Sequence, residues 1–277
     1  MVINGDELAK EILVRLKEEV QDRKHLRLAA FLIDSNQEKE KFLKIKKKYC
    51  QDLGVDFRLY PIDPSLGRKK IRTLINQVVR SKLVSGALIQ LPLPKNLSTQ
   101  YFLNSIPARK DVDCLSSRCL GQFFVNQAVI RPPVVEVVDF IREKFKLDFE
   151  SKLVVVVGYG RLVGRPLAHY FGQEKSTVIV INEKTKNAGE FFEKADVIIG
   201  GAGQPNLVKT CAPGAVLIDF GYGLDDQGRV GGDIDFEKLK NRASLITATP
   251  NGTGPILVAK LMENLVKLSL FKPKQND

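Results

Sequence analysis

The sequence predicts an α/β protein of two domains, each built on repeated βα units. Short apolar segments alternate with helical patterns along the 277 residues, and a loop-rich bridge at residues 104–131 interrupts this alternation. A chain of this length exceeds what one hydrophobic core usually organises, which favours two domains over one.

The N-terminal half is predicted to alternate three strands with two helices. The strands are expected at residues 28–33, 57–60 and 86–90, and the helices lie between them. Ser35 and Asn36 precede the first of these helices, which runs to Leu53, and Gly54 follows it as a C-cap. The second helix is expected from Arg68 to Ser81.

The C-terminal half begins with an amphipathic helix over residues 134–145 and a strand of four valines, 154–157. Further strands are predicted at 177–181, 196–200, 215–219 and 244–247, which gives five strands in one parallel, Rossmann-like sheet. A last helix is expected over residues 255–271, before a frayed tail at Lys272 to Asp277.

Glycines follow the valine strand in the spacing G-x-G-x-x-x-G, at Gly158, Gly160 and Gly164. The missing side chains allow a pyrophosphate to approach the backbone near the positive end of the next helix. Glycine spacing alone is a weak signal, but the strand before it and the helix after it favour a dinucleotide site.

Composition limits the other classes of function. The net charge is +11, which favours anionic ligands, yet the cations are scattered except at residues 44–48 and lack interleaved aromatic residues. A nucleic-acid role is therefore a weak alternative. No apolar stretch approaches the roughly 20 residues that cross a bilayer, and the N-terminus lacks a secretory pattern, so a cytoplasmic protein without membrane partners is expected.

The chain has four cysteines and two histidines. The cysteines show no C-x-x-C pairing, so neither structural zinc nor any other metal site is predicted. Free thiols in a reducing compartment are the expectation for Cys50, Cys114, Cys119 and Cys211.

Several motifs together resemble the bifunctional methylenetetrahydrofolate dehydrogenase/cyclohydrolase family. They are I-N-G at 3–5, Q-L-P-L-P at 90–94, K-D-V-D at 110–113, V-G-R-P at 163–166, D-F-G at 219–221, G-D-I-D-F at 232–236 and N-G-T-G-P at 251–255. The resemblance spans nearly the whole chain, in the family's order. It implies oxidation of methylenetetrahydrofolate to methenyltetrahydrofolate with NAD(P), then hydrolysis to 10-formyltetrahydrofolate.

The resemblance also implies an organisation for the chain. Residues 1–119, completed by the helix 255–271, would form the folate-binding catalytic domain, and 120–254 the NAD(P)-binding domain. The active site is expected in the cleft between these domains. The family further implies a homodimer built through the cofactor-binding domains.

The resemblance places catalysis on Lys46, Gln90 and Asp113. Lys46 follows Phe42 by four residues, so both lie on one face of the first predicted helix. A lysine with a lowered pKa can exchange protons with water, Gln90 can orient its amine, and Asp113 can accept pterin N–H groups. The implied folate contacts are Phe42, Gln90, Leu91, Pro92, Asp113, Gly254 and Pro255.

Two departures from the family pattern leave alternatives open. Phe42 stands where the family has tyrosine and lacks its hydroxyl, and Cys114 replaces the glycine after K-D-V-D. The alternatives are a dehydrogenase without cyclohydrolase activity and a catalytically idle, dinucleotide-binding regulator. Retention of Lys46 argues against the first, and retention of Lys46, Gln90 and Asp113 together argues against the second.

Cofactor choice is a third departure. NADP-using relatives have arginine where Tyr159 stands and serine where Glu183 stands, and a carboxylate repels the 2′-phosphate of NADP. The sequence therefore favours NAD over NADP, although Arg161, Lys184 or Lys186 can still contact a phosphate. The predicted cofactor contacts are Gly158, Tyr159, Gly160, Arg161, Val163, Gly164, Arg165, Glu183, Ala202, Gly203, Asp219 and Gly221.

Overall fold

The computed structural model describes residues 1–21 and 25–271, and the predicted tail at Lys272 to Asp277 lies outside these. The strands are β1 (Val2–Ile3), β2 (Arg27–Ile33), β3 (Asp56–Ile62), β4 (Gly86–Ile89), β5 (Leu153–Val157), β6 (Thr177–Ile181), β7 (Val197–Gly200), β8 (Val216–Asp219), β9 (Gly223–Leu224), β10 (Val230–Gly231) and β11 (Leu245–Thr247).

The helices are α1 (Gly5–Val20), α2 (Gln37–Asp52), α3 (Arg68–Arg80), α4 (Thr99–Leu103), α5 (Ser117–Phe124), α6 (Pro133–Phe145), α7 (Gly164–Gln173), α8 (Ala188–Phe192), α9 (Phe236–Leu239) and α10 (Thr253–Leu270). A single 3-10 turn, Ala108–Lys110, lies between α4 and α5 in the described chain.

The chain divides into two compact units. Unit 1 comprises Met1–Ala9 and Val134–Leu257, and unit 2 comprises Lys10–Pro133 and the residues from Val258 onward. The division at residue 133 differs from the expected boundary at 119. Helix α5 and the segment after it stay with unit 2, where the Ser117 N–H donates to Asn104 Oδ1 and Gln100 Nε2 donates to the Leu115 carbonyl.

Unit 2 contains a parallel sheet in the order β3-β2-β4. Strand β2 is central, and its residues from Leu28 to Ile33 are all buried, as expected of a strand covered on both faces. Helix α3 packs its buried residues Ile71, Ile75 and Val79, spaced four apart, against this sheet. The predicted βα alternation of the N-terminal half is confirmed.

Unit 1 contains a parallel sheet of six strands in the order β1-β11-β8-β7-β5-β6. The five predicted strands are all present, and the Rossmann-like arrangement is confirmed. The sixth strand, β1, pairs Ile3 with Thr247 and was missed because two residues show no periodicity. It is also the reason that the N-terminus belongs to unit 1.

The expectation of four free thiols was wrong for two of the cysteines. Cys114 and Cys119 are joined by a disulfide, with 5.1 Å between their Cα atoms, whereas Cys50 and Cys211 are free and buried. The left-handed backbone of Cys114, at φ +51°, turns the chain back toward the first turn of α5, where Cys119 lies. A spacing of five residues does not reveal this turn in the sequence.

Candidate functional site

Helix α2 presents the predicted proton-transfer side chain. The side chain of Asn36 accepts a hydrogen bond from the Lys39 N–H at 2.9 Å and so begins the helix at the predicted cap. Gly54, at φ +69°, ends it in the left-handed conformation typical of a C′ glycine. These two ends fix the register in which Phe42 and Lys46, both half-buried, lie one turn apart.

Lys46 reaches the carboxyl end of β4. Its Nζ donates a hydrogen bond to Oε1 of Gln90 at 2.8 Å, and Gln90 is only 7% exposed. The Gln90 Nε2 donates to the Leu91 carbonyl at 3.0 Å, which fixes the amide with its oxygen toward the lysine. The expected proximity of amine and glutamine is therefore present.

The K-D-V-D segment runs beside β4 and brings Asp113 near enough to Lys46 for their charges to interact. Asp111 forms an isolated parallel bridge with Ala87 of β4. The carboxylate of Asp111 accepts the Ser116 N–H at 2.6 Å and closes the turn that contains Asp113. Asn264 of α10 supports this turn, because its side chain donates to the Val112 carbonyl at 3.0 Å.

Burial and charge shift the pKa values of Lys46 and Asp113. Burial lowers the pKa of Lys46 below its ordinary value, and the negative charge of Asp113 opposes that shift only in part. Burial likewise raises the pKa of Asp113, opposed by the charge of Lys46. The Lys46 amine is therefore a better proton acceptor near neutral pH than an exposed lysine.

Asp111 makes the stability of the protein depend on pH. Burial raises the pKa of Asp111 to about 7, and the negative charge of Asp113 adds to this shift. The hydrogen bond from the Ser116 N–H opposes it. A carboxyl group with a raised folded-state pKa stabilises the fold fully below its unfolded pKa of about 4, and this contribution is lost as the pH rises through 7.

We expect Asp111→Asn to lose less stability than the wild type between pH 5 and pH 8. Between these pH values the free energy of unfolding should fall by about 2–3 kcal/mol more in the wild type than in the variant. The reason is that asparagine mimics the protonated acid and cannot ionise. Denaturant unfolding at both pH values measures it. Parallel stability profiles for the two proteins would contradict the assignment.

The remaining predicted folate contacts are divided between the units. Leu91 is half-buried and Pro92 is exposed, directly after Gln90 in unit 2. Gly254 and Pro255 lie in the first turn of α10, in the part of that helix that belongs to unit 1. Their roles stay predictions.

The glycine turn of unit 1 connects β5 to α7 as the sequence predicts. Gly158 has φ +89°, and a Cβ placed at Gly164 would collide with the carbonyl oxygen of Gly158. The first turn of α7 therefore packs directly on the turn that follows the strand, as in a phosphate-binding loop. A Cβ at Gly160 would meet nothing closer than 3.9 Å.

Two arginines supply positive charge at this turn. Arg165 donates from Nε to the Tyr159 carbonyl at 3.3 Å, and its guanidinium lies 5.4 Å from the centre of the Tyr159 ring. Nη1 of Arg161 is buried and has no hydrogen-bond partner among the described residues. Burial, together with the charge of Arg165, lowers the pKa of Arg161. An unsatisfied guanidinium here fits an anionic group, so the turn fits a bound dinucleotide.

The other predicted cofactor residues follow β6, β7 and β8. Glu183 is exposed in the turn after β6, and Ala202 and Gly203 form the loop after β7. Asp219 at the end of β8 is only 1% exposed, and its carboxylate accepts the Gly221 N–H at 2.7 Å. It therefore shapes the loop that contains Gly221 and does not present a free side chain.

Sequence comparison assigns the chain to a family. The model of the tetrahydrofolate dehydrogenase/cyclohydrolase catalytic domain matches residues 3–113, and that of the tetrahydrofolate dehydrogenase/cyclohydrolase NAD(P)-binding domain matches residues 133–272. The chain belongs to the tetrahydrofolate dehydrogenase/cyclohydrolase family.

Individual members of the tetrahydrofolate dehydrogenase/cyclohydrolase family agree with this. The bifunctional protein FolD of Neisseria gonorrhoeae is 35% identical over 270 residues, which cover 95% of both chains. The FolD structure from Campylobacter jejuni matches with a TM-score of 0.92 and 31% identity, covering 97% of this chain and 98% of that one. The Trypanosoma brucei enzyme, solved with NADP and an inhibitor, matches at 0.91 and 26%, covering 97% of each.

Two further observations concern the described residues alone. They contain no group of three or more histidine, cysteine, aspartate or glutamate side chains that could hold a metal ion. No described helix combines the length and the apolar character needed to cross a bilayer.

Proposed function

We propose that this protein oxidises 5,10-methylenetetrahydrofolate with a nicotinamide dinucleotide and hydrolyses the methenyl product to 10-formyltetrahydrofolate. The observation that supports this most directly is the hydrogen bond between Lys46 and Gln90 at the end of β4. Membership of the family supports both the oxidation and the hydrolysis. The hydrogen-bonded Lys46 is a group that can accept and donate the proton that hydrolysis requires.

The residues of unit 2 have distinct parts in the proposed reaction. Lys46 accepts a proton from the attacking water and returns it to the folate nitrogen, while Gln90 orients its amine. Asp113 accepts the N–H groups of the pterin, and the ring of Phe42 stacks on the folate. A bound nicotinamide dinucleotide would supply the hydride acceptor for the methylene carbon.

The glycine turn of unit 1 would hold the dinucleotide. Gly158, Gly160 and Gly164 leave the backbone open to the pyrophosphate at the start of α7. The unsatisfied Nη1 of Arg161 adds a charged donor beside it.

The experiment is a two-signal assay on the purified protein. Methylenetetrahydrofolate is mixed with NAD or NADP, and reduced cofactor and the methenyl compound are followed separately. Reduced cofactor with only transient methenyl compound supports the bifunctional enzyme. Methenyl compound that accumulates, and then disappears no faster than by spontaneous hydrolysis, indicates a dehydrogenase alone. Cofactor binding without reduction would overturn the proposal in favour of the idle regulator.

NAD is proposed as the preferred cofactor. Asn182 accepts the Lys184 N–H at 2.9 Å, and its own N–H donates to Thr185 Oγ1 at 3.1 Å. This rigid turn presents the exposed carboxylate of Glu183 directly after β6, where a free ribose hydroxyl can donate to it. Tyr159, which is 55% exposed, stands where NADP-using relatives have an arginine, so the positive charge that would bind the 2′-phosphate is missing at this position.

We expect Glu183→Ser to shift the ratio of kcat/KM values for NADP over NAD upward by about tenfold, because a like charge near the 2′-phosphate is removed. Steady-state kinetics with both cofactors measure the ratio. Glu190→Ser, at an exposed position of α8, is the control and should leave it unchanged. An unchanged ratio in Glu183→Ser would exclude this carboxylate as the specificity determinant.

A homodimer formed through unit 1 is also proposed. Strand β6 is the last strand of its sheet and pairs only with β5 among the described residues. A cavity of about 470 Å³ beside it is lined by Tyr159, Ala168, Val178, Val180 and Asn182. An apolar, unpaired strand edge is a suitable surface for a second copy. Val180→Lys should convert a dimer to a monomer in analytical ultracentrifugation, and a wild-type monomer would refute the proposal.

A further inference from the structure

The G-D-I-D-F motif contains a buried carboxylate, Asp233, that no step of the proposed reaction uses. It is 0% exposed. Its two oxygens accept the Ala202 N–H at 2.5 Å and the Gln204 N–H at 2.7 Å. One side chain therefore binds two backbone amides of the loop after β7, one with each of its oxygens.

This loop lies directly against the glycine turn of the dinucleotide site. A Cβ at Gly158 would lie 3.0 Å from the Gly201 carbonyl oxygen and 3.1 Å from the Cα of Ala202. On the other side, Val163 leaves no room for a side chain at Gly201. A displacement of the loop at 201–204 would therefore change the shape of the turn at 158–164.

A second buried carboxylate braces the first. Asp219 accepts the Gly221 N–H at 2.7 Å and the Ile234 N–H at 2.9 Å, so it holds the residue that follows Asp233. A Cβ at Gly221 would overlap the Asp233 carboxylate, and one at Gly232 would overlap that of Asp219. These glycines give the two acids their space.

We propose that Asp233 is a positioning residue for the dinucleotide. By binding the amides of Ala202 and Gln204, it holds the loop at 201–204 against the glycine turn in the shape that receives the cofactor. Because Asp233 occupies these amides, they are not free to bind phosphate, and the pyrophosphate is left to the turn at 158–164 and the start of α7. The inference rests on the proposed function for the identity of the ligand.

The test compares Asp233→Asn with Asp235→Asn in the full-length protein. Asparagine fills the same space but presents an NH₂ group to one of the two N–H donors, so it cannot bind both amides. Asp235 belongs to the same motif, but its side chain only caps α9 by accepting the Lys238 N–H at 3.2 Å. Calorimetric titration with NAD and with NADP, without folate, gives the dissociation constants, and steady-state assays give KM for folate.

We expect Asp233→Asn to weaken the binding of both dinucleotides about tenfold or more, because a distorted loop disturbs the turn that holds them. The KM for folate should stay within about twofold of the wild-type value, and Asp235→Asn should change neither quantity. Dinucleotide binding by folded Asp233→Asn within twofold of wild type would overturn the proposal, as would equal weakening in both variants.

A measurement on the wild type alone covers the case in which Asp233→Asn does not fold. Hydrogen exchange in the absence of cofactor should show the amides of Ala202 and Gln204 protected, although they lie outside the strands and helices. Exchange at the rate of an open loop would overturn the proposal. If the wild type binds dinucleotide but does not oxidise folate, the proposed function fails while the role of Asp233 stands.

Discussion

Lys46→Met is expected to lose cyclohydrolase activity by at least about 100-fold while the dehydrogenase rate changes by less than about tenfold. Methionine keeps the length and apolar packing of the lysine stem but has no amine. Hydride transfer needs no proton from this position, whereas the attack of water requires a group that accepts one. The two-signal assay should therefore show methenyl compound accumulating in the variant.

The structure provides a matched control for Lys46→Met. Lys47 is the next residue of α2 and is exposed, so Lys47→Met removes the same charge from the same helix without touching Gln90. Both half reactions should keep wild-type rates in Lys47→Met. Equal loss of hydrolysis in the two variants would indicate a general effect of charge, and undiminished hydrolysis in Lys46→Met would assign the proton transfer to another group.

The pH dependence of hydrolysis gives an independent check on the same amine. Burial lowers the pKa of Lys46, so the rising limb of the hydrolysis rate should lie at a lower pH than for an ordinary lysine. The midpoint of this rising limb reports the titration of Lys46 and Asp113 together, since the charge of each shifts the pKa of the other.

Local signals were sufficient to predict the helix that presents Lys46. Asn36 and Gly54 mark its two ends because a cap and a left-handed glycine satisfy backbone groups within a few residues of themselves. The strand that ends at Gln90 was predictable for a similar reason, since prolines follow it. The contact between Lys46 and Gln90 was an expectation of the family resemblance, because these residues are 44 positions apart.

Features that depend on distant partners could not be predicted from the residues. Strand β1 is two residues long and exists because β11, more than 240 residues away, offers it a free edge. The motif that contains Asp233 was recognisable in the sequence, but its role depends on a loop about 30 residues earlier. The disulfide depends on the backbone conformation of Cys114, for which the residue type gives no signal.

Gly164→Ala is expected to abolish dinucleotide binding, with an affinity loss of at least about 100-fold. The new Cβ would collide with the carbonyl oxygen of Gly158 and press on the Cα of Tyr159. These are backbone atoms, so the collision cannot be relieved by rotating a side chain. The turn must move away from the start of α7, and the amides that we propose to face the pyrophosphate move with it.

Gly160→Ala separates this effect from a general intolerance of the turn to side chains. The Cβ at residue 160 would have 3.9 Å to its nearest neighbour, so the fold of the free protein should accept it. Calorimetric titration with NAD and NADP should therefore rank the wild type first, Gly160→Ala second and Gly164→Ala last, with thermal unfolding confirming that each variant is folded. Should folded Gly164→Ala bind dinucleotide as well as Gly160→Ala, contact between the turn and α7 would not be what shapes the site.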